Sequence, residues 1–173
     1  MLVVNHHERD LAAAAPVVGA LINGLASAND RLWPHDRWPA MRLDGPLQPG
    51  ATGGHGPIGY RVESYHPGEA VTFRFLRPPG FDGTHTFAVQ ALPNGCRLSH
   101  TIRMTTSGQA TWAWQFVYEP LHDALLEDAL DKAAQQTGGV GRGVAWSRWV
   151  RLLRWLLARA RQRRRAASRQ TGG

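Results

Sequence analysis

Apolar and polar residues alternate with period two over most of residues 55 to 107, which predicts a run of antiparallel strands with one buried face. Ile58, Tyr60 and Val62 share a face in the first strand, and Val71, Phe73 and Phe75 share one in the next, after a His66-Pro67-Gly68 turn. Phe81, His85, Phe87 and Val89 then face Leu98, His100, Ile102 and Met104 across a Pro93-Asn94-Gly95-Cys96 turn. With Asn-Gly at the centre of that turn, Val89 stands opposite His100 and His85 opposite Met104. Each strand thus carries one inward histidine, the two offset by four residues, or roughly 13 Å, too far apart for a dyad.

The period changes outside this block. Leu2 to His6 reads as a first strand, and Pro16 in the first turn opens a short helix over VVGALINGLA. Asn29 to Gly54, with Trp33-Pro34 and Trp38-Pro39, is expected to be mostly loop. Its two tryptophans either gate a cavity or pack on the sheet edge. Gln109 to Gln136 predicts a long helix with Trp112, Phe116, Val117, Leu121, Leu125 and Ala129 on one stripe and a kink at Pro120. A Gly-rich linker over residues 138–143 separates a body of residues 1–137 from an appended helix and a frayed tail over 144–173.

Charge divides the chain at the same place. All thirteen acidic residues precede residue 132, while Gly138 to Gly173 hold ten arginines and no acid. The body therefore has ten basic against thirteen acidic residues, a formal charge of −3, and the net +7 belongs to the tail. On a helical wheel Trp146, Trp149, Val150, Leu152, Leu153, Leu156 and Leu157 fill an arc of about 160°, with Arg148, Arg151, Arg154, Arg159 and Arg161 opposite and Trp155 among them. Beyond Gln162 the pattern fails and a frayed basic end is expected. Three readings stay open for this helix over residues 144–162. It lies on an anionic membrane, holds nucleic acid (the weakest of the three, because it leaves the apolar face unexplained), or docks on its own domain or on a second chain as in a homodimer.

Candidate chemistry is sparse. His85 and His100 are the candidate acid or base, with no carboxylate on their inward faces to orient them, and Tyr60 is a candidate to hold a carbonyl oxygen. The expected apolar wall is Phe73, Phe75, Phe87, Ile102, Met104, Trp112 and Phe116. No metal site is expected: His6 and His7 point to opposite faces of a strand, and His122 has no ligand-type residue three or four positions on. His55, in a glycine cluster without strand-loop-helix context, reads as part of a turn. The lone Cys96 excludes an internal disulfide, and with no signal-like N-terminus and no apolar run long enough to span a bilayer, a cytoplasmic protein at most peripheral to the membrane is expected.

The segments HHERDLAAAAPVVGALINGLA, RLWPHDRWPAM, YRVESYHPGEAVTFRF, GFDGTHTFAVQALPNGCRLSHTIRM and EPLHDALLEDALDKA, in that order, resemble the helix-grip fold of the START-like SRPBCC superfamily. The likeness is to its bacterial polyketide cyclase/dehydratase-like members and covers about residues 1–137. The resemblance implies an α+β fold in which a curved antiparallel sheet wraps a long C-terminal helix. It also implies a cavity for apolar or amphipathic ligands such as lipids, isoprenoids or polyketides, without metal or organic cofactor. The expected function is binding of such a molecule; the alternatives are a cofactor-independent cyclase or dehydratase using an inward histidine, and a protein-interaction module working through the last helix.

Overall fold

The computed structural model describes residues 1–170, without the side chains of 161 and 164–170. Seven antiparallel strands form one sheet: β1 (Leu2–Leu11), β2 (Arg42–Leu43), β3 (Thr52–His55), β4 (Ile58–His66), β5 (Ala70–Arg77), β6 (Phe81–Leu92) and β7 (Gly95–Thr106), in the order β1-β7-β6-β5-β4-β3-β2. The pairing of β4 with β5 is irregular at Gly59/Tyr60 and at Val62/Ser64, and such bulges bend a sheet. Helix α1 (Ala15–Asn23) follows β1 and has Pro16 in its first turn. It lies directly on the β4–β5 turn, where a Cβ on Gly19 would fall 2.1 Å from the Gly68 carbonyl oxygen. The sheet curves around a helical run of α2 (Gln109–Ala113), a π-helical turn (Trp114–Tyr118) and α3 (Glu119–Gln136), and α4 (Arg148–Gln170) follows. Among the described residues no helix is long and apolar enough to cross a membrane.

Two expectations are corrected by local geometry. The β6–β7 turn is Pro93-Asn94, so Phe87 stands opposite His100 and His85 opposite Ile102. Pro93 has no N–H for the ladder and its fixed φ suits the second position of a turn, so the pairing slides by one residue on each strand. Gly95 (φ 139°) takes the first ladder position after the turn. The inward faces are kept, because the slip moves the sum of paired positions by two, but the histidines become diagonal neighbours.

The second correction is the phase of the long helix. Its inward stripe is Trp114, Val117, Tyr118, Leu121, His122 and Leu125, whereas Trp112 and Phe116 are 66% and 54% exposed. The π-helical turn adds a residue to one turn, so a wheel drawn at constant pitch through 109–136 misplaces everything before it. The defect ends at Pro120, in the first turn of α3, which has no N–H to offer the Phe116 carbonyl four residues back. That carbonyl accepts a bond from the indole Nε1 of Trp149 at 2.8 Å.

The appended helix begins later than Val144, at Arg148, where Ser147 Oγ accepts the Val150 N–H at 3.2 Å. Its backbone is helical to Gln170, past the expected fraying point; residues 171–173 lie outside the described residues. The glycine linker is tied down: Asp131 of α3 accepts the backbone N–H of Arg142 and of Gly143, each at 2.8 Å.

The core is in two parts. One joins α1, the Trp33–Met41 loop, the middle strands and the C-terminal half of α3 around Ile22, Phe73, Phe87, Leu98 and Leu130, and receives Val150 of α4. The other joins Val3, Phe75, Phe81, Ile102, Met104 and Trp114. Residues of both parts line the space between them.

Candidate functional site

That space is a cavity of about 530 Å³ beneath α3. Phe75, Phe81, Ile102, Trp114, Leu121, Leu125 and Leu126 supply its apolar wall, and His55, His85, His100 and His122 its imidazoles. Trp33, Asp36, Arg37 and Trp38 of the first long loop and Arg154, Leu157 and Ala158 of α4 also line it.

Of the residues expected to line a pocket, Phe75, His85, His100 and Ile102 do so. Phe73, Phe87, Tyr60 and Met104 are packed in the core instead, each 3% exposed or less. They share the inward face of the sheet, but the cavity occupies only part of the space beneath it. Trp112 and Phe116 lie outside, stacked on each other at 5.9 Å.

His85 Nδ1 and His100 Nε2 are 3.3 Å apart and hydrogen-bonded, which overturns the expectation that the rings cannot meet. Both are at least 95% buried. Burial, reinforced by the neighbouring histidines, holds both well below the usual imidazole pKa, so each is neutral at pH 7. A neutral ring has one donor and one acceptor nitrogen, so the bond between them leaves the pair one of each on its outer nitrogens. Those atoms, His85 Nε2 and His100 Nδ1, have no hydrogen-bond partner among the described residues.

Imidazoles continue on both sides of the pair. His55 Nδ1 lies 3.2 Å from the Tyr60 hydroxyl, and burial pushes this ring down to about 3. The edge of Tyr60 meets His85 at 4.9 Å, and burial raises its phenol pKa well above the ordinary value. On the other side His122 sits 5.0 Å from His100 and 5.8 Å from His7, centroid to centroid. Burial lowers His122, partly offset by Asp123. Burial opposes charge on His7 as well, but its bonds to Asp123 and Glu127 prevail and raise its pKa.

Helix α4 covers the mouth. Asp128 of α3, 7% exposed, accepts Arg37 Nη1 on Oδ1 at 2.7 Å, and Trp38 Nε1 and Trp146 Nε1 on Oδ2 at 2.7 and 3.1 Å. Arg154, expected on the solvent side of its helix, turns inward. Its guanidinium lies 4.1 Å from both the Trp38 and Trp146 rings and donates to the Arg37 carbonyl at 2.5 Å. A planar cation on two indole faces explains the departure from the wheel. Val150 and Leu153 are buried, while Trp149, Leu152, Trp155, Leu156 and Leu157 remain 41–48% exposed. One side of the amphipathic helix thus docks on its own domain and the other faces out.

Sequence reasoning placed Val117, Leu121 and Leu125 on the inward stripe but missed Trp114, Tyr118 and Asp128, and gave His7, His55 and His122 no part in the site. Trp114 and Tyr118 had a signal, their spacing with Leu121 and Leu125; Asp128 had none, since its partners are 18 to 91 residues away.

No family model matches the chain, and no curated protein matches it. Solved structures do. The di-domain ARO/CYC protein StfQ from the steffimycin biosynthetic pathway superposes with a TM-score of 0.61 at 12% identity over 80% of this chain and 51% of that one. A norcoclaurine synthase point mutant from Thalictrum flavum, in complex with a transition-state analogue, gives 0.60 at 15% identity over 80% and 98%. A Thermobifida fusca protein gives 0.61 at 18% identity over 78% and 93%. With its seven-stranded curved antiparallel sheet and long C-terminal helix, the chain has the helix-grip fold.

Proposed function

We propose that this protein is a divergent START-like SRPBCC protein that binds an apolar or amphipathic small molecule, of lipid, isoprenoid or polyketide type, in the cavity beneath α3. The carrying observation is the cavity itself: about 530 Å³, apolar on most sides and edged by neutral imidazoles, a size and lining that suit a small-molecule site. Similar folds in a cyclase and a synthase are in keeping with this reading. Native mass spectrometry of the full-length protein is expected to show a co-purified hydrophobic ligand, or uptake of one from a lipid and polyketide panel. Ile102→Trp, which fills the wall from β7, is expected to weaken that binding at least tenfold. Retention of nothing across the panel would overturn the proposal.

The hydrogen bond between His85 and His100 favours a second reading, a cyclase or dehydratase-type reaction. A neutral pair with one outer donor and one outer acceptor can take a proton at one end and release one at the other. If His85→Leu abolishes turnover of the bound molecule while its affinity stays within twofold, the protein is an enzyme and not only a binder.

The outward side of α4 supports work at an anionic membrane surface. Trp149 is bonded to the exposed Trp112–Phe116 pair through the Phe116 carbonyl, Leu152 is exposed three residues on in the same helix, and Arg148 and Arg151 lie in the same segment without acid. Full-length protein is expected to sediment with phosphatidylglycerol vesicles and to lose this with Trp149→Ser and Trp112→Ser together. Equal sedimentation of the two proteins would exclude this surface.

A further inference from the structure

A second cluster lies at the far side of His122 from the cavity, where β1 passes the start of α3. His7 Nε2 is 3.0 Å from Asp123 Oδ1, and His122 Nδ1 is 3.6 Å from the same oxygen. One donor atom from each of His7, His122 and Asp123 lies within 4.8 Å of the others. Bonds of about 2.0–2.2 Å to a tetrahedral zinc ion place its ligand atoms about 3.3–3.5 Å apart. The two distances to Asp123 Oδ1 bracket that value, and the third lies within 4.8 Å.

Three further features point to a cation. Neither nitrogen of His122 has a hydrogen-bond partner among the described residues, although both are buried. A neutral imidazole always carries one lone pair, and a metal ion would satisfy it. His7 holds Glu127 Oε1 through its other nitrogen at 3.2 Å, and Glu127 is fixed in turn by Arg9 at 2.9 Å. A carboxylate behind a histidine in this way orients the ring and strengthens it as a ligand. Asn5 Nδ2 steadies Asp123 Oδ1 at 2.9 Å. Entry is open, because the Asp123 side chain is 44% exposed.

We propose that His7, His122 and Asp123 form a binding site for one divalent transition-metal ion, with zinc the best match to two imidazoles and one carboxylate. Three protein ligands leave at least one coordination position for water or for an oxygen atom of another molecule. Because His122 also lines the cavity, the ion stands at the boundary between cavity and solvent. The site does not depend on the small-molecule reading, since ion uptake is measured with nothing added to the cavity.

The test uses full-length protein treated with chelator and dialysed. Cobalt(II) titration, followed by its visible absorption, and competition by zinc are expected to give one ion per chain. Asp123→Asn and His122→Gln are each expected to weaken binding at least tenfold, and Glu127→Gln by about tenfold through loss of ligand orientation. His66→Ala, an exposed histidine on the β4–β5 turn, should bind as wild type. Zinc should also raise the Tm of the wild type and not that of Asp123→Asn, a near-isosteric change at a partly exposed position. No bound ion in the wild type means that His7 is only a bridge between two carboxylates. Equal uptake by wild type, Asp123→Asn and His122→Gln means that scattered histidines hold the ion. Either result overturns the proposal.

Discussion

Acidification from pH 7 to 5 is expected to lower the stability of the fold steadily. His85 and His100 are held neutral by burial, so each takes up a proton on unfolding once the pH falls below its unfolded value of 6.5. Their folded pKa values lie below the unfolded one. The unfolded state therefore binds more protons, stability rises with pH, and what the two rings contribute is lost as pH drops through 6.5. A ring that stays neutral in the fold costs at most about 1.4 kcal/mol per pH unit below 6.5. His55 and His122, also depressed, steepen the fall. His7 acts the other way: its raised pKa stabilises the fold below 6.5, one ring against several. Urea midpoints measured from pH 7.5 to 5 should fall steadily, and His85→Leu should remove one ring from the slope. A flat profile would mean that the rings are protonated inside the fold.

Asp128→Ala is expected to cost about 3 kcal/mol and to free α4 from the body. The change strips an acceptor from two indole N–H groups and one guanidinium, and a buried donor left unpaired costs about 1–3 kcal/mol. Arg37 is half-exposed and recovers water, so most of the loss comes from Trp38 and Trp146. Asp128→Asn, which keeps one acceptor oxygen, should lose about half as much. Trypsin reports the opening directly, through faster cleavage at Arg142 and Arg148. Lower stability with unchanged cleavage would show that Asp128 serves the core and does not hold the cover.

The sheet was legible because its signal is local. Alternation over 58–104 identified the inward residues of four strands, and the slide of β6 on β7 preserved that face while changing who meets whom. One turn residue decided the outcome: a register built on Asn-Gly separates His85 from His100, and one built on Pro93-Asn94 joins them. The helix was legible in extent, and in phase from Val117 onward, but not before that, since a π-helical turn has no periodic signature of its own. Least legible were the contacts between distant segments. His7 and His122 are 115 positions apart, and nothing in either neighbourhood announces the other. The basic tail was recognised as amphipathic, yet a wheel assigns a face without its partner. Arg154 was placed among solvated arginines when two indoles were waiting for it.

The cover also gives the cavity a direction. Among its lining residues the arginines, Arg37 and Arg154, stand at the mouth, while the deep end offers imidazoles that burial keeps uncharged. If the proposed ligand carries an anionic group, it meets guanidiniums only at the entrance, where Asp36 also lines the cavity and Arg37 is paired with Asp128, and would enter tail first. One whose polar group is a neutral carbonyl or hydroxyl would instead be able to present that group to the histidines. On the proposed ligand-binding reading, such a chamber would select by charge at its mouth before it selects by shape at its deep end.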